Sequence, residues 1–146
     1  MYPGLATDAA PLLAAAMLCA EGESSIEDVV FEERFGCAEG FKRLGGRVKR
    51  AGRVLSVGPL PESGLHGTTL MAPDLRGGAA LVLAALAAGG KSWVEDTRHI
   101  DRGYAGLTET LAALGARIGR EMTPAPGCVK KIPAKNQNRL AFGAKR

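Results

Sequence analysis

The residues best equipped for chemistry fall in three short stretches. Asp8 heads one apolar run, Asp74-Leu75-Arg76 heads a second, and His99-Ile100-Asp101-Arg102-Gly103-Tyr104 packs four polar side chains into six positions. Aspartate and arginine in this pattern suit the handling of an anion beside a hydroxyl. A guanidinium fork takes phosphate or carboxylate bidentately, and a nearby carboxylate can hold or deprotonate a hydroxyl. Asp74 is expected to cap a helix, which puts Arg76 in the first turn, where the dipole already favours an anion. A cation placed there needs a compensating partner, which a bound phosphate or carboxylate would supply. On residue types alone, a salt bridge to an acid of the chain or simple solvation is the commoner outcome. His99 alone reads as a hydrogen-bonded structural residue, Asp101 as a cap or a partner of Arg102, and Asp8 as a second helix cap. Recurrence strengthens the anion reading, because Arg102 and Arg34 each precede a predicted helix at equivalent places in the chain.

That equivalence comes from an internal repeat. Residues 24–48 line up with 92–118: Ile26-Glu27-Asp28 with Val94-Glu95-Asp96, Arg34 with Arg102, and Leu44-Gly45 with Leu114-Gly115. The apolar runs ahead of each segment open at Asp8 and Asp74 and close at Gly22 and Gly89-Gly90. Four matches in the same order indicate two copies of one supersecondary unit. The pattern predicts helices over 8–20, 37–44, 75–88 and 104–114. It predicts strands near 25–30, 68–71 and 91–96, and a hairpin over 47–50 and 53–57. The class is α/β (α+β), with βαβαββ repeats entered part-way through. Two units are expected, about 1–57 and 68–121, making a partial domain over 1–121. "AALVLAALAA" is apolar on nearly every side, so the first helix of each unit should be enclosed by sheets. In "FEERF", residues 31–35, the expectation is a solvated loop with Phe31 and Phe35 packed inward.

Composition narrows the function classes. The chain carries 19 Lys and Arg against 15 acids, for a net charge of +4. Six of those cations, and none of the acids, lie beyond Glu121, so the body is mildly acidic and residues 122–146 form a basic tail expected to be disordered. Six charges without interleaved aromatics are weak support for nucleic-acid binding. Cys19, Cys37 and Cys128 lack metal-ligand spacing and argue for reduced thiols, with Cys19 expected in the core. "APLLAAAMLCA" follows an acid rather than a basic stretch, so it does not fit a secretory leader. The longest apolar run, Ala79 to Ala88, is too short to span a bilayer. A soluble, cytoplasmic protein without membrane contacts is therefore expected. No HExxH, paired CxxC, GxSxG or glycine-rich nucleotide motif occurs, so neither a metal nor another cofactor is expected.

Four stretches together resemble one family: "YPGLATD" (2–8), "VVFEERF" (29–35), "APDLRGGAALVLAALAAGG" (72–90) and "HIDRGY" (99–104). In order and spacing they are similar to the enolpyruvyl transferases, in the UDP-N-acetylglucosamine 1-carboxyvinyltransferase branch of peptidoglycan synthesis. The resemblance covers about residues 1–121. It implies an inside-out α/β barrel whose helices are buried within sheets, and transfer of enolpyruvate from phosphoenolpyruvate to the 3′-hydroxyl of UDP-N-acetylglucosamine with release of phosphate. It implies catalytic parts for Asp8 and Asp74, contacts to the UDP-sugar from Asp8 and the Val30 backbone, and contacts to phosphoenolpyruvate from Arg76 and Arg102. His99 and Tyr104 inherit no assignment and are expected to be structural. By the same resemblance two of six repeat units are present, and no cysteine matches the family's proton-donor loop. The chain alone is expected to be inactive, as part of a truncated enzyme or as a half-domain completed by a separately encoded N-terminal piece. A non-catalytic remnant, or a binding module using the basic tail, is the alternative.

Overall fold

The computed structural model describes residues 4–122 and 138–143. The first apolar run enters through a short 3-10 turn, Thr7–Ala9, and continues as α1, Ala10–Met17. The first unit then adds β1 (Ser24–Glu27), α2 (Ala38–Arg43), β2 (Val48–Ala51) and β3 (Val54–Val57). The second unit opens with β4 (Thr69–Met71), α3 (Leu75–Ala87) and β5 (Lys91–Glu95). Two short helices follow, α4 (Arg98–Gly103) and α5 (Leu107–Ala113), and then β6 (Ile118–Met122) and β7 (Asn138–Gly143). The stretch expected as one helix over 104–114 is thus shorter, and α4 precedes it. Arg102 lies inside α4 rather than in a loop ahead of a helix.

The repeat is visible in matching helix ends. After α2, Gly45 takes φ +93° and the Gly46 amide donates to the Phe41 carbonyl; after α5, Gly115 takes φ +95° and the Ala116 amide donates to the Leu111 carbonyl. This left-handed cap, with its amide reaching five residues back, closes the free carbonyls of the last turn, and glycine adopts it at no steric cost.

The strands form two sheets, ordered β1-β3-β2 and β4-β5-β7-β6. In the first, β3 runs antiparallel between β1 and β2, with Ile26 opposite Leu55 and Arg50 opposite Leu55. In the second, β7 runs antiparallel between β5 and β6, with Val94 opposite Leu140 and Arg120 opposite Leu140. β7 is therefore the counterpart of β3, and β4-α3-β5-α5-β6-β7 is a complete βαβαββ unit. Of the stretch 122–146, expected to be disordered, the described residues 122 and 138–143 are strand. Met122 ends β6, residues 138–143 form an internal strand, and Leu140 is 1% exposed. Residues 123–137 and 144–146 lie outside the described residues.

Helices occupy the interior. α1 packs along α3, α2 packs against both α3 and β2, and α3 rests on β5 and β7. Four of eight residues in α1 and eight of thirteen in α3 are buried, against two of six in α2 and one of seven in α5. Small residues make these approaches close. A Cβ on Gly40 would meet the Leu81 side chain at 2.4 Å, one on Gly78 the Ile100 side chain at 2.8 Å, and one on Gly103 the Leu75 side chain at 2.6 Å. The last two contacts seat α4 on the first turns of α3. Cys19 proves exposed rather than buried, while Cys37 is fully enclosed.

Because Leu140 joins β6 to the core through β7, Leu140→Ala should lower the unfolding free energy by about 3 kcal/mol, as for a buried leucine elsewhere. Denaturant unfolding checks this. A loss under about 0.5 kcal/mol, the level of a surface change, would show that β7 is not packed in the core.

Candidate functional site

The 3-10 turn that leads into α1 and the start of α3 come together, bringing Asp8 to Arg76. Asp74 caps α3 as expected, its Oδ1 accepting from the Gly77 amide at 2.8 Å. Asp8 does not cap α1; it lies in the 3-10 turn, and α1 begins after Ala9 without a side-chain cap. Its carboxylate bridges two arginines instead. Asp8 Oδ2 accepts from Arg76 Nη2 at 2.8 Å, and Oδ1 lies 3.5 Å from Arg34 Nη2. The cation in the first turn of α3 is thus compensated by an acid of the other repeat, 68 residues away.

Arg76 is held from its other side by Tyr104, whose hydroxyl accepts from Nη1 at 2.6 Å while the ring centroid lies 5.3 Å from the guanidinium carbon. Hydrogen bonds to Tyr104 and Asp8 push the Arg76 pKa above its ordinary value, so the group stays a cation throughout the working range. Tyr104 is a site-shaping residue that the sequence reading left structural. Its place in "HIDRGY" was the only signal for it.

Arg34 sits deeper, with a side chain 11% exposed. Its Nε donates to Thr7 Oγ1 at 3.0 Å and lies 3.4 Å from Asp28 Oδ2, and its guanidinium lies 4.3 Å from the centre of the Phe31 ring. Phe31 is consequently half exposed rather than packed inward, whereas Phe35 is buried. Asp28 organises the turn after β1, which ends at Glu27 instead of reaching Val30. It accepts from the amides of Val30 and Phe31, each at 2.8 Å, and from the Thr7 hydroxyl. Burial alone would raise the Asp28 carboxyl. The Thr7 hydroxyl, the two amides and the Arg34 charge outweigh it and hold the group below the ordinary 3.8. The hairpin fixes the rest of this loop, with Arg50 donating to Glu33 Oε2 at 3.0 Å and Arg53 to Glu32 Oε1 at 2.8 Å.

These groups line an open cleft of about 620 Å³. Asp8 and Arg34 come from the first unit; Asp74, Arg76, His99 and Arg102 come from the second. Arg102 is exposed and, among the described residues, makes no hydrogen bond or ion pair. Asp101 pairs with Arg120 rather than with Arg102. Val30 lies outside this cleft, in a smaller adjoining pocket of about 120 Å³ with Leu5, Thr7 and Asp28. Burial pushes the Cys37 thiol up to about 12, which removes it as a nucleophile at neutral pH. Among the described residues no group of three or more His, Cys, Asp or Glu could hold a metal ion, and no helix is long and apolar enough to cross a membrane. The arrangement offers one guanidinium fork without a partner among the described residues, a second held by an exposed and exchangeable pair, and a carboxylate beside it. That is a place for a small anion beside a group to be deprotonated.

The family model for EPSP synthase (3-phosphoshikimate 1-carboxyvinyltransferase) matches residues 1–111. The chain belongs to this enolpyruvyl transferase family. Relatives of this family include UDP-N-acetylglucosamine 1-carboxyvinyltransferase 1 of Symbiobacterium thermophilum, 44% identical over 119 residues, covering 82% of this chain and 26% of the relative. The UDP-N-acetylglucosamine 1-carboxyvinyltransferase of Desulfofundulus thermocisternus is 42% identical over 128 residues, covering 85% of this chain and 52% of the relative. The chain therefore spans between a quarter and about half the length of these enzymes. The enolpyruvyl transferase NikO from Streptomyces tendae superposes with a TM-score of 0.69 at 39% identity, over 79% of this chain and 26% of that one. EPSP synthase from Acinetobacter baumannii shares the fold, with a TM-score of 0.60 at 17% identity over 95% of this chain and 29% of its own. The fold is that of the enolpyruvyl transferases, represented by part of a domain.

Asp28 gives a pH signature within this family fold. A carboxyl held below its ordinary value stabilises the fold above that value and ceases to do so once it protonates. Stability should therefore fall as the pH drops below 3.8. Asp28→Asn should be less stable than the parent at pH 6, with the difference shrinking as the pH falls through that window. Urea unfolding at a series of pH values measures it, and a difference independent of pH would refute the assignment.

Proposed function

We propose that this chain is the C-terminal part of a cytoplasmic transferase that moves enolpyruvate from phosphoenolpyruvate to the 3′-hydroxyl of UDP-N-acetylglucosamine, a reading supported by its similarity to enzymes named UDP-N-acetylglucosamine 1-carboxyvinyltransferase. The observation that carries the reading is the meeting of Asp8, Asp74, Arg76 and Arg102, from two repeat units, in one cleft. Packing of the apolar segments behind these four residues brings them to one end of the core, where two guanidiniums and two carboxylates face the same open space.

In this reading Arg102 and Arg76 receive the phosphate and carboxylate of phosphoenolpyruvate. A substrate anion arriving at Arg76 competes with Asp8 for the same guanidinium, and the displaced Asp8 carboxylate is then available to take the proton of the sugar hydroxyl. The hydroxyl oxygen bonds to C2 of phosphoenolpyruvate as the methylene carbon takes a proton from a donor supplied by the family's other units. Elimination then breaks the bond between C2 and the phosphate oxygen, releasing phosphate, and the methyl carbon gives a proton back to restore the double bond. Asp74 lines the same cleft as the second acid, and the Val30 backbone in the adjoining pocket contacts the UDP-sugar. No metal or cofactor enters these steps. Positioning two substrates in a closed site supplies roughly 7–11 kcal/mol of barrier reduction, and this cleft is open to water. Turnover is therefore assigned to the chain together with the family's other units, supplied as a separate N-terminal piece.

Phosphate release from phosphoenolpyruvate and UDP-N-acetylglucosamine tests the proposal. Purified protein alone should be silent, and mixing with an N-terminal piece should give turnover that Arg102→Ala lowers by about 100-fold, the scale of losing one charge-stabilising donor. Turnover by the chain alone would overturn the partial-enzyme reading. Silence in both conditions would overturn the transferase reading in favour of a non-catalytic remnant.

A further inference from the structure

Arg102 is presented by a helix of only six residues, too short to hold itself together in water. Its orientation must come from what grips it. Ile100, 1% exposed, lies over Gly78 of α3, and Gly103 lies against Leu75. The third grip is polar and comes from β6. Arg120 Nη1 donates to Asp101 Oδ2 at 3.0 Å and Nη2 donates to Asp101 Oδ1 at 2.5 Å, a two-toothed pair that fixes angle as well as distance. Asp101 immediately precedes the residue that faces the cleft. Arg120 is not among the residues that line the cleft.

We infer that Arg120 is a positioning residue for Arg102, and that the C-terminal strand β7 sets the register in which it acts. Among the described residues β6 pairs with β7 alone, and β7 joins it to β5. Arg120 is opposite Leu140, and Leu140 is opposite Val94 in the core. A slip of one residue would turn Arg120 to the other face of the sheet and leave Asp101 without its fork. The path from the tail to the cleft is thus Leu140, Arg120, Asp101, Arg102. It gives residues 138–143, which lie beyond the segment matched by the family model, a part in shaping the anion site. The pair is partly exposed, with Arg120 at 36% and Asp101 at 28%, so its worth lies in direction more than in stability.

This inference rests on the anion-site reading of Arg102, and two measurements on the full chain separate the two. Phosphoenolpyruvate is titrated by calorimetry, and amide hydrogen exchange is followed over residues 98–103. The variants are Arg102→Ala, Arg120→Gln, Arg120→Asp, and the exchanged pair Asp101→Arg with Arg120→Asp. Arg102→Ala should weaken binding at least tenfold without changing exchange. Arg120→Asp should weaken binding about tenfold and speed exchange in α4, Arg120→Gln should do both less, and the exchanged pair should recover most of each. If Arg102→Ala weakens binding while the Arg120 variants change neither measurement, the positioning inference is overturned. Failure of the exchanged pair to recover binding overturns it too. If phosphoenolpyruvate does not bind the parent, the anion-site reading falls and takes the positioning of a ligand-binding Arg102 with it. Exchange then reports only whether Arg120 holds α4.

Discussion

The close approach of α3 to its neighbours is the constraint on which the rest depends. A helix of alanine, glycine, leucine and valine can be surrounded on most sides, but only if the partners that cross it bring little bulk to the crossing. Gly40, Gly78 and Gly103 provide this where Leu81, Ile100 and Leu75 fill the space that a Cβ would need. With α1 packed along α3 and α4 seated on its first turns, the beginnings of both long helices and of the polar segment are forced to one end of the core. The polar residues at those beginnings then share a cleft because the apolar residues behind them share a core. A side chain at Gly78 or Gly103 would lever α4 off α3, and Arg102 would leave the neighbourhood of Arg76.

Within the cleft, burial sorts the arginines by availability. Arg34 and Asp28 face each other with side chains 11% and 2% exposed, and Thr7 bridges them. Removing either partner would strand a buried charge, which costs far more than the pair contributes. Arg34 is therefore committed to the fold. Arg76 and Asp8 are 30% and 56% exposed, and a pair that open to water is worth no more than about 1 kcal/mol. An incoming anion can displace Asp8 from Arg76 at small cost, which no ligand could do to Asp28. The chain thus keeps one ion pair as scaffold and the other as an exchangeable contact.

Periodicity and helix-stop glycines made most of the architecture legible. The long apolar helices, the hairpin around Gly52 and the matching ends at Gly45 and Gly115 follow from local patterns, and so does the cap at Asp74. Three features did not follow, each because the deciding contact is distant. Asp8 has the composition of a cap, but Arg76, 68 residues away, and Arg34 claim its carboxylate. β7 carries no strong alternation and sits in a basic stretch, and only the empty place between β5 and β6, filled by β3 in the other unit, calls for it. Tyr104 gave no sign of its hydrogen bond, because a tyrosine after a helix is ordinarily a packing residue. Asp74, Arg76 and Arg102 were visible as candidates from type and spacing. That they line one cleft with Asp8 required the packing of two units.

The two units also show how one plan yields unlike sites. Asp28 and Asp96 are equivalent in the repeat, as are Arg34 and Arg102. In the first unit Asp28 is drawn inward and faces Arg34 across 3.4 Å. In the second, Asp96 takes a left-handed backbone conformation, φ 54°, which aspartate tolerates better than most side chains. Its carboxylate accepts from Arg98 Nε at 2.8 Å, two residues on. The local partner wins because closing so short a loop costs little chain entropy, and Arg98 has no counterpart pairing with Asp28. Arg102 is thereby released from the role its twin performs. An extra arginine near the start of α4 thus accompanies the change from a structural ion pair in one repeat to a cation that faces the cleft without a partner among the described residues in the other.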